Sequence, residues 1–113
     1  MADMSQETEQ KLAQLQMLEQ NMQASMMQKQ QFQSQMIEIE SALAELKNTK
    51  RAYKIVGNIM IDASKEELEA ELGQKKEMVE LRVKSLEKQE EQFKAKAKKL
   101  QEEVLSEIRQ KGG

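Results

Sequence analysis

The chain has 113 residues, enough for one domain, with 34% charged and 3% aromatic residues and a net charge of −2. It contains no Cys, His, Trp or Pro, which excludes disulfides and the commonest general bases and soft-metal ligands. This composition favours a thin core, such as the seam between two helices, over a thick globular one.

The same residues argue against several classes of function. Carboxylates are scattered among Lys and Arg at helical spacing, as on a solvated surface, so we expect no catalytic residues, no metal site, no cofactor and no enzyme. Without a basic stripe or an aromatic platform, nucleic acid is not an expected partner. No run approaches the ~18 apolar residues of a membrane span, and the N-terminus lacks the pattern of a signal peptide. We therefore expect a cytoplasmic protein that does not bind membranes.

A first helix is predicted over residues 10–47, after a polar and frayed segment 1–9. Its apolar residues follow a heptad with Leu15 at position a and Leu18 at position d, and eight of the ten a and d positions are apolar. The ten positions are Leu15, Leu18, Met22, Ser25, Lys29, Phe32, Met36, Ile39, Leu43 and Leu46. This regularity indicates a coiled-coil seam.

Residues 51–62 interrupt the helical periodicity and predict a β-hairpin. Two short apolar runs flank Gly57-Asn58, a dipeptide suited to a type I′ or II′ turn. Both faces of such a hairpin would be mostly apolar, and the chain offers no third strand, so we expect other polypeptides to cover it. The alternative is a connector packed on its own helices. The predicted oligomerisation residues are Tyr53, Ile55, Val56, Gly57, Ile59, Met60 and Ile61.

A second helix is predicted over residues 64–110. Ser64 and Glu67 fit a capping box at its start, and Gly112 follows its end. A second heptad, found independently of the first, makes eight of eleven core positions apolar. Those positions are Leu72, Lys76, Val79, Val83, Leu86, Glu90, Phe93, Ala97, Leu100, Val104 and Glu107.

Two helical seams joined by a hairpin predict an antiparallel coiled coil within the chain. Apolar layers then meet, for example Leu15 with Leu100 and Phe32 with Val83. The rival is a parallel homodimer of each helix, which the chain reversal at the hairpin disfavours. Lys29 and Glu90 either form an interhelical pair or extend separately to water.

Several apolar residues remain outside the seam or close to its chain-terminal end, where helix ends fray. Such a surface is suited to holding another molecule, and Met in particular adapts to varied partners, although Met is also an ordinary helix former. The residues predicted to contact a bound polypeptide are Leu12, Leu15, Met17, Leu18, Val104, Leu105 and Ile108.

The hairpin sequence Ala52-Tyr-Lys-Ile-Val-Gly-Asn-Ile-Met-Ile61, set between two heptad-bearing helices, resembles that of β-type subunits of the prefoldin family. A Tyr/Phe-Lys-x-x-Gly run is typical there, and Tyr53, Lys54 and Gly57 match it. Asn58 departs from the Pro that is common after the Gly. A single hairpin resembles the β class, because the α class is longer and carries two. The chain is most similar to an archaeal β subunit, and a eukaryotic β-type paralogue is the alternative.

The resemblance implies an ATP-independent chaperone built as an α2β4 hexamer of two prefoldin α-type subunits and four β subunits. Hairpins would join into intersubunit β-barrels, and the coiled-coil tips would hold unfolded polypeptide clients for delivery to a group II chaperonin. The chain would then be a single prefoldin-like domain over residues 1–113. The alternative function is a non-catalytic coiled-coil adaptor or spacer in a larger complex.

Overall fold

The structure, a computed structural model, describes residues 5–112. It contains helix α1 (Gln6–Lys47), strands β1 (Ala52–Val56) and β2 (Ile59–Ala63), and helix α2 (Lys65–Gly112). This confirms the predicted mainly α fold, a long antiparallel two-helix coiled coil connected by one β-hairpin. The described residues fall into two compact units: a terminal unit of residues 5–28 and 85–112, and a hairpin unit of residues 29–84.

Helix α1 begins at Gln6, four residues before the predicted start, so residues 6–9 are helical in the structure. Ser5 is the N-cap: its hydroxyl accepts a hydrogen bond from Thr8 N at 3.1 Å, and its carbonyl accepts one from Glu9 N at 3.0 Å. Glu7 and Glu9 place negative charge in the first turn, where the helix dipole favours it. Residues 1–4 lie outside the described part of the chain.

Burial follows the two heptads in both units. All the predicted a and d positions are buried or half-buried, including the polar residues among them. The buried apolar side chains among the described residues are Ile39, Leu46 and Val79 in the hairpin unit and Val104 in the terminal unit. The core of each unit is therefore the thin helix–helix seam that the composition favours.

Side-chain pairs show that the helices run antiparallel within each unit. In the hairpin unit, the Arg82 guanidinium lies 5.9 Å from the centre of the Phe32 ring. In the terminal unit, Lys11 Nζ lies 3.4 Å from Glu103 Oε2. Residues early in α1 thus meet residues late in α2, as the predicted antiparallel pairing requires.

The hairpin turn is type II′. Strand β1 pairs antiparallel with β2, and Val56 lies opposite Ile59 across the two-residue loop. Gly57 has a φ of 61°, whereas Asn58 has a negative φ. A type I′ turn needs positive φ at both loop residues and a type II′ turn only at the first, which decides between the two predicted types.

Helix α2 begins at Lys65 because Ser64 serves as its N-cap. Glu67 N donates a hydrogen bond to Ser64 Oγ at 3.1 Å. This confirms the half of the predicted capping box in which the serine hydroxyl satisfies a backbone amide of the first turn.

Candidate functional site

The hairpin presents two apolar faces to solvent. The strand register places Tyr53, Ile55 and Met60 on one face. Val56, Ile59 and Ile61 share the other face with Lys54. These six apolar side chains are 46% to 68% exposed. This exposure disfavours the alternative of a connector packed on its own helices.

The edges of the hairpin are also unpaired. Within residues 5–112 the sheet consists of β1 and β2 alone, so each strand keeps one free row of backbone donors and acceptors. An isolated two-stranded hairpin with apolar faces is marginally stable in water. Strands from other polypeptides could satisfy these edges and cover these faces at the same time.

A groove beside the hairpin adds a concave apolar surface. It has a volume of about 520 Å³ and lies between the hairpin and the adjoining helix ends. Tyr53 and Met60 line it from the hairpin, and Leu46, Leu68 and Leu72 line it from the helices. Such a groove could accept apolar side chains from a partner that pairs with the hairpin.

Lys54 connects the hairpin to α2. Its Nζ lies 2.7 Å from Glu71 Oε1, and both side chains are partly exposed. The hydrogen bond from Lys54, reinforced by its charge, lowers the pKa of Glu71, and the same bond raises the pKa of Lys54. The ion pair fixes the strand against the first turns of α2 and leaves the apolar faces uncovered.

The residues predicted to contact clients differ in exposure within the terminal unit. Met17 is 65% exposed, and Leu105 and Ile108 are also exposed. Leu12, Leu15 and Leu18 are half-buried along the seam. Val104 is 6% exposed and packs in the core. The structure thus offers three freely accessible apolar side chains above a partly covered apolar seam.

A polar cluster in the terminal unit escaped the sequence reasoning. Thr8 is buried, with 1% of the residue exposed. Its hydroxyl donates a hydrogen bond to Glu107 Oε2. Lys11 Nζ donates to Glu107 Oε1 and also pairs with Glu103. The hydrogen bond from Lys11 to Glu107 is the main reason that the pKa of Lys11 is raised. Thr8 and Lys11 lie one heptad before Leu15 and Leu18, so extending the pattern would have found them.

The seam contains further polar residues, and Ser25 differs from Lys29 and Glu90 in its interactions. Ser25 is buried, and its hydroxyl oxygen has no hydrogen-bond partner among the described residues. Lys29 and Glu90 each take part in a polar or electrostatic interaction. Whether they pair with each other stays a prediction.

Two other kinds of feature have no counterpart within residues 5–112. Within this part of the chain, no three carboxylates come close enough together to hold a metal ion. None of its helices combines the length and the apolar character that a bilayer-spanning segment needs.

Known proteins account for this combination of exposed hairpin and helical seam. The sequence profile described as "Prefoldin subunit" matches residues 9–111. The chain belongs to the prefoldin family. Prefoldin is a chaperone family and not an enzyme family, and a prefoldin β subunit is one member of a hetero-oligomeric complex.

Individual prefoldin subunits match over most of their length. The prefoldin subunit beta of Archaeoglobus fulgidus is 38% identical over 96 residues, covering 82% of this chain and 83% of that protein. That of Methanospirillum hungatei is 34% identical and covers 96% and 92%. The crystal structure of the prefoldin beta subunit from Thermococcus strain KS-1 superposes with a TM-score of 0.87 at 31% identity, covering 94% of this chain and 96% of that chain. These matches confirm the resemblance to archaeal β subunits.

Proposed function

We propose that this chain is the β subunit of an ATP-independent chaperone that binds unfolded proteins and delivers them to a group II chaperonin in the cytoplasm. The observation that carries the proposal is the pair of unsatisfied apolar surfaces, one on the hairpin and one at Met17, Leu105 and Ile108. The hairpin surface needs an assembly partner to cover it. The surface at Met17, Leu105 and Ile108 is then left for transient ligands.

The hairpin is the proposed assembly element. Two of its faces and both of its edges are uncovered in the single chain, and a closed barrel of hairpins from several subunits would satisfy all of them. We propose the α2β4 hexamer, with prefoldin α-type subunits and further β subunits supplying the neighbouring hairpins. Within it, residues 1–113 would act as one domain.

The chain-terminal apolar residues are the proposed client contacts. Exposed Met and aliphatic side chains on well-formed helices can meet many sequences, because Met adapts its shape at little cost. Half-buried Leu12, Leu15 and Leu18 would extend the contact, and buried Val104 would support it from within. A holdase of this kind needs no nucleotide and no catalytic group.

A triple substitution tests the client surface. Met17→Gln, Leu105→Gln and Ile108→Gln together should lower suppression of aggregation by the assembled chaperone, measured by light scattering of an unfolding protein without nucleotide. The matched control is Ile37→Gln, Met78→Gln and Leu81→Gln, which removes three similarly exposed apolar side chains from the hairpin unit. Equal activity of the two triple variants would place the client contacts elsewhere.

The same assay separates the chaperone from the adaptor alternative. An adaptor or spacer subunit would bind one specific partner and give no protection to unrelated unfolding proteins. Protection of two unrelated proteins at stoichiometric ratios supports the holdase, and its absence in the fully assembled complex would favour the spacer.

A further inference from the structure

An apolar groove in the terminal unit has charged side chains along α2 and none along α1. The groove has a volume of about 430 Å³ and lies between α1 and α2. Met17, Leu18 and Leu100 supply its apolar lining, and Met17 is exposed enough to contact a ligand directly. This surface overlaps the proposed client contacts, and the inference below rests on that proposed function.

The charged side of the groove is positive. Lys96 and Lys99 line it from α2, both are exposed, and neither forms an ion pair with another described residue. Gln14 and Asn21 line it from α1 and carry no charge. Glu103 is the one carboxylate in the lining, and Lys11 already pairs with it at 3.4 Å. Two ammonium groups are therefore available to a ligand in this groove.

A second groove in the same unit provides a comparison. It has a volume of about 340 Å³ and also has two lysines on α2, Lys94 and Lys98. Here Glu19 lies on the α1 side and offsets part of their charge. Its apolar lining is half-buried throughout, without a counterpart to the exposed Met17. Of these two grooves in the terminal unit, the first is the one in which positive charge and accessible apolar surface coincide.

We propose that the groove of Met17, Leu18 and Leu100 prefers unfolded segments in which an apolar side chain is flanked by Asp or Glu. The apolar side chain would pack against Met17 and Leu100, and the flanking carboxylates would meet Lys96 and Lys99. Lys suits this purpose because its flexible stem can follow carboxylates at varied positions. Exposed charge pairs contribute selectivity more than affinity, so the groove ranks clients and does not require one sequence.

The test uses two fluorescent peptides with the full chain assembled with an α-type subunit. Both have twelve residues and the same Leu and Phe positions; one carries Glu at four flanking positions, and the other carries Gln there. Fluorescence anisotropy at low salt should show the Glu peptide binding about three to ten times more tightly, the range expected for two exposed ion pairs. The preference should shrink as salt is added, because exposed charges are screened.

Substitutions show which residues produce the preference for the Glu peptide. Lys96→Gln with Lys99→Gln should abolish it, whereas the matched control Lys94→Gln with Lys98→Gln removes the same charge from the second groove and should leave it nearly intact. Met17→Gln should weaken both peptides while the ratio of their affinities is kept. Equal loss in both double-lysine variants would overturn the proposal in favour of a general effect of net charge.

Failure of this inference is distinguishable from failure of the chaperone function. If the two peptides bind equally while the assembled protein still suppresses aggregation, the charge preference is wrong and the proposed function stands. If aggregation is not suppressed at all, the proposed function itself is wrong.

Discussion

Lys54 Nζ lies 2.7 Å from Glu71 Oε1, and this ion pair joins strand β1 to helix α2. The hairpin faces remain exposed, so this contact holds the strand in place without covering the apolar surface proposed for assembly. Because both side chains are partly exposed, solvent screens their attraction, and we expect the pair to orient the hairpin more than to stabilise the fold.

The pKa of Glu71 reports this pair directly. In the wild-type chain, NMR titration should place it below the ordinary value of 4.5, since Lys54 donates a hydrogen bond to the carboxylate and adds its positive charge. Lys54→Gln should return the pKa towards 4.5. The control Lys75→Gln should change the pKa of Glu71 little, because Lys75 exerts only a weak electrostatic attraction on that carboxylate. An unshifted Glu71 in the wild-type chain would contradict the pairing.

The same shifts define when the pair contributes. A carboxylate whose pKa is lowered by folding stabilises the fold above its unfolded pKa and loses that contribution as pH falls through the lowered value. A lysine whose pKa is raised contributes below its unfolded pKa and loses the contribution as pH rises through the raised value. The pair should therefore hold at neutral pH and weaken at both extremes.

Breaking the apolar hairpin should abolish assembly and spare the helices. Ile55→Asp puts a charge on one exposed face, and Ile59→Pro removes a backbone donor next to the turn. The mass of the complex formed with an α-type subunit should fall to that of separate chains, with helical circular dichroism largely retained. Asn58→Asp is the control, because it adds the same charge without removing an apolar side chain. If Ile55→Asp still assembled with the α-type subunit as the wild-type chain does, the hairpin would not be the assembly surface.

The turn itself depends on Gly57. Its φ of 61° lies in the left-handed region, and an added Cβ there would meet nothing within 4 Å, so only the backbone resists substitution. Gly57→Ala should cost about 1–2 kcal/mol in the free energy of hairpin formation. Gly57→Asn should cost about as much, since a type II′ turn takes Gly at its first loop position, whereas a type I′ turn takes Asn there. Denaturation of the assembled complex measures both, and a clearly more stable Gly57→Asn variant would argue against a type II′ turn in solution.

The sequence predicts the fold well because its apolar residues repeat regularly. Leu15 and Val79, found in separate heptads, both lie in the seam, and Val56 lies opposite Ile59 as the pattern requires. The turn type could not be chosen, because Gly-Asn satisfies both hairpin turns and only the φ of Asn58 decides.

The terminal unit was harder to predict from the sequence. Thr8 continues the heptad, but a search for apolar periodicity passes over a threonine whose burial depends on a carboxylate far along the chain. Val104, by contrast, is buried as its place in the second heptad predicts, whereas the contacts of Lys11 with Glu103 and Glu107 on either side of it could not be predicted from the pattern. Polar pairs such as those of Thr8 and Lys11 with α2 occupy heptad positions but leave no apolar periodicity in the sequence.

The hydroxyl of Thr8 should matter for stability. It donates to Glu107 and lies in hydrogen-bond contact with Ser5 Oγ at 2.8 Å. Thr8→Val keeps the shape but removes the hydrogen bond to Glu107 Oε2, while Lys11 still donates to Oε1, and the loss should lower the free energy of unfolding by about 1–3 kcal/mol. Thr8→Ser keeps the hydroxyl and should cost about 0.8 kcal/mol for one lost methyl group. Amide hydrogen exchange in the terminal unit should accelerate more in Thr8→Val, and the reverse order would exclude the hydrogen bond.

Ser25 presents the opposite case, a buried hydroxyl without a partner among the described residues. It is 5% exposed and lies at a d position of α1. Ser25→Ala removes an unsatisfied polar group, so it should raise the free energy of unfolding by about 1 kcal/mol, whereas removal of a satisfied hydroxyl would lower it.

Ala is also the better helix former, by less than about 0.7 kcal/mol. The exposed Ser41→Ala in the same helix measures that propensity alone. With protein concentration held fixed, the gain at Ser25 should exceed the gain at Ser41. A smaller gain at Ser25 would mean that its hydroxyl is satisfied in solution and that the seam retains it for a hydrogen bond.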